Sequence, residues 1–125
     1  MPRPVSPTLT EAELRLMKVL WERGPSTVGE IVAALADEVS LAESTVRTML
    51  GILRDKSYVE ATARGRAFVY HPLVDRSEAR RGAVRHLISR FFDGSPEELV
   101  LNVLRNEELD EDELSRLRRM IEEEE

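Results

Sequence analysis

Residues 42–71 read AESTVRTMLGILRDKSYVEATARGRAFVYH, and the fold turns on the change of period inside them. Up to Leu53 the apolar residues Val46, Met49, Leu50 and Leu53 recur at i, i+3, i+4 and i+7, one stripe of an amphipathic helix. From Tyr58 to Ala63 and from Ala67 to His71 the chain is instead short, β-branched and aromatic. Arg64-Gly65-Arg66 lies between these two runs. That spacing predicts a two-stranded hairpin with a glycine-containing turn.

Working outward, two more helices precede this one. Thr10 followed by Glu13 has capping-box spacing, and Leu14, Met17, Leu20 and Trp21 form an apolar stripe behind it. Gly24-Pro25 stops that helix. A second box, Thr27 with Glu30, opens a helix with Val28, Ile31, Val32 and Leu35 on its inner face. Asp37 to Leu41 is a polar connection. Three short helices and then a hairpin is the order of a winged helix-turn-helix: the second and third helices make the helix-turn-helix, and the hairpin is the wing. Residues 1–8 are Pro-rich and are expected to be a loose arm.

Beyond Pro72 the pattern is helical again. A helix is expected from Arg76 to Phe92, with Val84, Leu87, Ile88 and Phe91 on one side and Asp93-Gly94 as its break. Ser95, Pro96 and Glu98 are a helix start. The run Leu99-Val100-Leu101-Asn102-Val103-Leu104 that follows is apolar nearly all round, so burial on more than one side is expected. A last helix carries Leu114, Leu117 and Ile121 and ends in Glu122–Glu125, which is expected to fray. The architecture expected is mainly α with a small β-hairpin: a winged-helix DNA-binding domain over 1–74 and a helical dimerisation domain over 75–125.

Composition excludes much. The chain has 125 residues, a formal net charge of −6 and no cysteine, which removes disulfides, cysteine zinc sites and iron–sulfur clusters. The two histidines, His71 and His86, are too few for a His-rich metal site. No apolar run approaches a membrane span and no signal peptide is visible, so a cytoplasmic protein is expected, with no membrane partner. The acidity is uneven. Residues 1–75 hold nine basic and ten acidic side chains, and residues 76–125 hold nine and fourteen. Within 44–66, Arg47, Arg54, Lys56, Arg64 and Arg66 face only Asp55 and Glu60. For docking on phosphate, this local excess of base matters more than the total.

Turning the stripe of the third helix inward leaves Ser44, Thr48, Gly51 and Asp55 opposite, with Arg47 beside them. Hydroxyls reach phosphate or base edges, and an arginine grips guanine with two hydrogen bonds. Arg64 and Arg66 flank the hairpin tip, where they would straddle a DNA backbone. Double-stranded DNA is therefore the expected partner. The alternative is a winged-helix module that docks on protein through its acidic half and has no DNA affinity. The C-terminal half is either a single-chain core or a dimerisation module, and a homodimer is expected because a helix-turn-helix reads only a half-site. No catalytic constellation or phosphate loop is present, so neither an enzyme nor a cofactor is expected.

Leu9-Thr10-Glu11-Ala12-Glu13, Leu20-Trp21, Thr27 to Ile31, Ala42 to Leu50 and Gly65-Arg66-Ala67-Phe68-Val69-Tyr70, in that order, resemble the penicillinase and methicillin-resistance repressors (the BlaI/MecI type). The likeness continues through Ser95–Asn102 and the last helix. It implies a dimeric winged-helix transcriptional repressor of a palindromic operator. It also implies that Ser44, Thr45, Arg47 and Thr48 match the DNA-contacting start of the recognition helix, and that Arg64 and Arg66 match the wing. Repression in the family is relieved by a regulatory protease that cuts within the helix holding Asn102-Val103 here. The best-known members carry Asn-Phe at that bond, and Val103 departs from it. Ile52 stands where an arginine is common, and Ser57 where a glycine is common, which implies a different exit from the third helix. The related copper-responsive branch uses cysteine pairs, and this chain has none.

Overall fold

A computed structural model describes residues 8–124, so most of the expected N-terminal arm and the last glutamate lie outside the described residues. The elements run α1 (Glu11–Arg23), β1 (Ser26–Thr27), α2 (Val28–Leu35), α3 (Glu43–Asp55), β2 (Val59–Arg64), β3 (Ala67–Pro72), α4 (Arg76–Phe91), α5 (Pro96–Asn106) and α6 (Glu111–Glu123). Two compact units divide the chain after His86. None of these helices is long and apolar enough to cross a membrane.

In the first unit, α1, α2 and α3 pack with an antiparallel sheet of order β1-β3-β2. Both expected capping boxes form. Thr10 Oγ1 accepts from the Glu13 N–H while the Glu13 carboxylate accepts from the Thr10 N–H, and Thr27 and Glu30 repeat the exchange. Gly24, at φ 85, ends α1 in a conformation that suits glycine. The core joins Leu16, Leu20, Ile31, Val46, Leu50, Leu53, Tyr58 and Val59. Leu16 and Val19 are buried although they fall outside the stripe legible in the sequence, whereas Leu14 and Trp21 sit at its half-buried margin.

The hairpin pairs Arg64 with Ala67, so its loop is only Gly65-Arg66. Gly65 has φ 62 and Arg66 does not have a positive φ, the signs of a type II′ turn, which follows the twist of the strands. The third strand goes beyond the expected hairpin. Ser26 and Thr27 pair with Tyr70 and Val69, and two residues carry no period that could announce a strand.

Trp21 ties the segment after β3 to α1. Its Nε1 donates to the Val74 carbonyl at 2.8 Å, Val74 is buried, and the Arg76 guanidinium lies 5.6 Å from the ring centroid. In the second unit, α5 starts at Ser95, whose hydroxyl accepts from the Glu98 N–H, with Pro96 in the first turn. α6 starts with a full box between Asp110 and Glu113 and stays helical through Glu123, further than the fraying expected of its acidic end.

The exit from α3 is left-handed despite the missing glycine. Ser57 takes φ 70, and its N–H donates to the Arg54 carbonyl at 3.0 Å. A side chain in that region costs about 1–2 kcal/mol. Glycine gives part of this back through a freer unfolded chain, so Ser57→Gly is expected to stabilise the protein by about 0.5–1 kcal/mol. A calorimetric scan should then find Tm raised by about 2–8 °C. A lower Tm would show that the serine's own contacts outweigh the strain.

Candidate nucleic-acid interface

The geometry of the site begins with burial. Val46, Leu50 and Leu53 have no exposed surface, and Met49 is half-buried beside them. With that stripe inside, Ser44, Thr45, Arg47 and Thr48 all stand exposed along the first turns of α3. Thr48 Oγ1 donates to the Ser44 carbonyl at 3.0 Å, so its proton is engaged and its lone pairs face outward as acceptors. Arg47 has no ion-pair partner among the described residues.

The N-terminus of α3 adds donors that a reading of side chains misses. Ala42 is its N-cap and supplies no side-chain hydrogen bond. The starts of α1, α2, α5 and α6 are capped by Thr10, Thr27, Ser95 and Asp110, and Asp75 accepts from the Glu78 N–H at the start of α4. Among the described helices, only α3 leaves its first N–H groups without a side-chain acceptor. Those groups and the positive end of the helix dipole suit an anionic oxygen. Alanine at position 42 is the sequence signal for it. Glu43, exposed in the same first turn, works against phosphate and is likewise absent from the expected site.

The basic stripe is smaller than its residue count suggests. Lys56 Nζ donates to Glu13 Oε1 at 2.8 Å, and Glu13 is buried, so this cation holds the ends of α1 and α3 together. Arg47, Arg54, Arg64 and Arg66 remain exposed. Arg64 projects from the β2 end of the wing, on the face that also carries Thr62. It lies close enough to Glu30 to act on it. Hydrogen bonds from the Thr27 N–H and hydroxyl chiefly hold the Glu30 carboxyl below the usual range against its desolvation, and the charges of Arg23 and Arg64 add to this. Phe68 projects from the opposite face of the wing and is 56% exposed, a large apolar surface outside the expected site. Asn102 and Val103 lie mid-helix in α5, both exposed, and the Asn102 carbonyl accepts from Asn106 Nδ2 at 2.9 Å.

Known proteins resemble this arrangement. The family model described as penicillinase repressor matches residues 9–123. The penicillinase repressor of Bacillus licheniformis is 32% identical over 117 residues, covering 94% of this chain and 91% of that protein. The methicillin resistance regulatory protein MecI of Staphylococcus aureus (strain N315) is 24% identical over 113 residues, covering 90% and 92%. Among solved structures, the DNA binding domain of the repressor BlaI matches with a TM-score of 0.54 and 32% identity, over 61% of this chain and 93% of that one.

The two classes of cation should separate on mutation. Burial opposes ionisation of Glu13. The hydrogen bond from Lys56, the two from Thr10 and the lysine charge overcome it and hold the carboxyl below its ordinary range. Such a group adds stability above the ordinary glutamate pKa, and that stability is lost as pH falls through the lowered one. Lys56→Ala is therefore expected to cost about 1–3 kcal/mol near pH 7 by leaving a buried carboxylate without its cation. The loss should shrink below about pH 4, once the carboxyl is protonated. Arg47→Ala, at an exposed position, should stay within about 0.5 kcal/mol. Urea titrations of both variants across that pH range check this.

Proposed function

Because the chain belongs to the penicillinase repressor family, we propose that it is a DNA-binding transcriptional repressor that acts as a homodimer on a palindromic operator. Residues 1–74 read DNA and residues 75–125 hold the dimer. The activity is binding alone: the protein occupies a promoter, and no bond is made or broken. The observation that carries this reading is the start of α3, where Ser44, Thr45, Arg47 and Thr48 stand exposed beside uncapped N–H groups on a helix rigidly seated by its opposite face. The N-terminal residues of a recognition helix are the ones that meet base edges in the major groove. Arg64 and Arg66 in the wing grip the backbone. The BlaI structure to which this chain is similar is that of a DNA binding domain.

The experiment is a titration of the operator by fluorescence anisotropy at several salt concentrations. Arg47→Ala should weaken specific binding by about 1–3 kcal/mol, the worth of a bidentate base contact. Arg64→Ala with Arg66→Ala should weaken specific and non-specific DNA alike. It should also lower the log–log salt slope by about 1.8, or about 0.9 for each phosphate no longer neutralised. An unchanged slope removes the wing from the backbone. If neither variant changes affinity and the parent itself ignores DNA, the protein-docking alternative takes over.

Support for the dimer comes from the C-terminal helices, where no described side chain of α4, α5 or α6 is buried. α5 was expected to be buried on more than one side, yet Val100, Val103 and Leu104 are 52%, 38% and 46% exposed. Small helices with open apolar stripes are completed by a second copy. Relief of repression by a regulatory protease is part of the same proposal. Asn102-Val103 is the candidate bond, and its cleavage would sever α5 in mid-run after the helix opens locally.

Leu104→Asp tests the link without disturbing a packed side chain. The variant is expected to keep its helical circular dichroism, sediment as a monomer and bind operator at least about a hundredfold more weakly, the loss of a bivalent advantage. A folded, dimeric variant excludes this stripe from the interface. A folded monomer with full affinity shows that binding does not depend on dimerisation.

A further inference from the structure

Away from α3 and the wing, the first unit contains a pocket of about 400 Å³ between α1 and the start of α4. Its volume lies in the range of small-molecule sites, about 300–1,000 Å³. Leu9, Leu14, Trp21 and Ala79 give it apolar walls. Lys18 and Arg80 also line it, both are exposed, and neither has a carboxylate partner among the described residues. Nothing in the DNA-reading surface uses these residues. We propose that this pocket is a binding site for a small organic anion with a flat apolar body, of the aromatic or arylalkyl carboxylate class.

The local bonding narrows the choice. The Trp21 Nε1 proton is taken by the Val74 carbonyl, so the indole offers a ligand its ring and no donor. Arg76 lies over one face of that ring and 3.6 Å from Glu22 Oε1, so the one acidic side chain of the lining is already matched by a cation. The two remaining charges, Lys18 and Arg80, are both positive. A cationic ligand is repelled, a neutral one leaves both cations unused, and a polyanion wastes the apolar walls. A single carboxylate on an apolar body satisfies both. Because Lys18 and Arg80 are open to solvent, the apolar walls supply most of the affinity and the charges select among ligands. The site stands on these contacts alone and does not depend on the protein being a repressor.

Trp21 is the only tryptophan of the chain, so its emission reports the pocket directly. The probe is 4-phenylbutyrate added to the full-length protein. A saturable change in Trp21 fluorescence is expected, with Kd on the order of 0.1–1 mM for a ligand of this size. 4-Phenylbutyramide, the same body without the charge, should bind about threefold more weakly, the worth of an exposed ion pair. Lys18→Gln with Arg80→Gln should bring the two compounds to equal affinity. Ala83→Leu, which adds bulk to the lining at an exposed helical position, should abolish the response to both while the circular dichroism is unchanged. No saturable change up to about 10 mM overturns the site, since such binding would fall outside its expected affinity. Equal affinity for acid and amide in the parent protein overturns the anion class. A response that survives in a folded Ala83→Leu variant shows that the signal arises elsewhere and also overturns the site.

Discussion

Three side chains of α3, Val46, Leu50 and Leu53, carry no exposed surface, and the rest of the first unit depends on their seating. Each residue of a helix turns the next by about 100°, so once these positions are buried the direction of every other side chain on α3 follows. Ser44, Arg47 and Thr48 face outward because the stripe faces inward. A slip of one residue would put Arg47 in the buried place of Val46 and move Leu53 to the exposed place of Ile52. Burying such a charge without a partner costs several kcal/mol, and the leucine forfeits about 1.5–3 kcal/mol more. The proposed recognition surface is thus specified by residues that would never touch DNA.

A second constraint sets where α3 ends. Glu13 is 4% exposed, and burying a carboxylate is unfavourable unless its oxygens are matched. Here Oε1 accepts from both the Thr10 N–H and Lys56 Nζ, while the backbone N–H of Glu13 donates to the Thr10 hydroxyl. The capping box of α1 and the last turn of α3 therefore share one acid. Beside it Ser57 turns left-handed, Tyr58 enters the core, and the Tyr58 carbonyl accepts from the Leu73 N–H to close the base of the wing. Lys56 is withdrawn from the surface in exchange for this fixed corner. Within residues 44–66, the exposed arginines Arg47, Arg54, Arg64 and Arg66 are left to carry the local positive potential.

What is legible in the sequence follows from the range of the interactions. Capping boxes are local and joined by fixed spacing, so those at Thr10 and Thr27 can be read directly, and so can the break at Gly24. The stripe of α3 is legible because one helix face meets one core. α1 is packed over a wider arc, so Leu16 and Val19 are buried outside the narrow stripe seen in sequence. β1 is not legible: Ser26 and Thr27 become a strand only because Tyr70 and Val69 arrive beside them from over forty residues away. The exposure of Ser44, Thr45, Arg47 and Thr48 is foreseeable for the same reason as the stripe. The engagement of Lys56 by Glu13, 43 positions apart, is not. The uncapped start of α3 is written plainly as Ala42, but it is a property of backbone donors, and side-chain chemistry alone does not reveal it.

The C-terminal helices show the complementary limit. Their amphipathic stripes are plain in sequence, but a stripe does not say what it meets. Val84 and Phe91 on α4, Val100 and Leu104 on α5, and Met120 and Ile121 on α6 all remain substantially exposed. A stable monomer rarely leaves so many large apolar side chains in water on consecutive elements. In the proposed dimer this surface has a functional consequence. A single winged helix meets one half-site, and its affinity is dominated by salt-sensitive phosphate contacts. Joining two such units makes the second binding event intramolecular and raises overall affinity by about 10²–10⁴ with the DNA-reading surface of each unit unchanged. Occupancy of the operator would then be controlled from helices that carry none of the proposed DNA-reading residues. Under that proposal a cut in α5, where the run from Leu99 to Leu104 holds the candidate bond, would empty the site while α3 stays correctly folded.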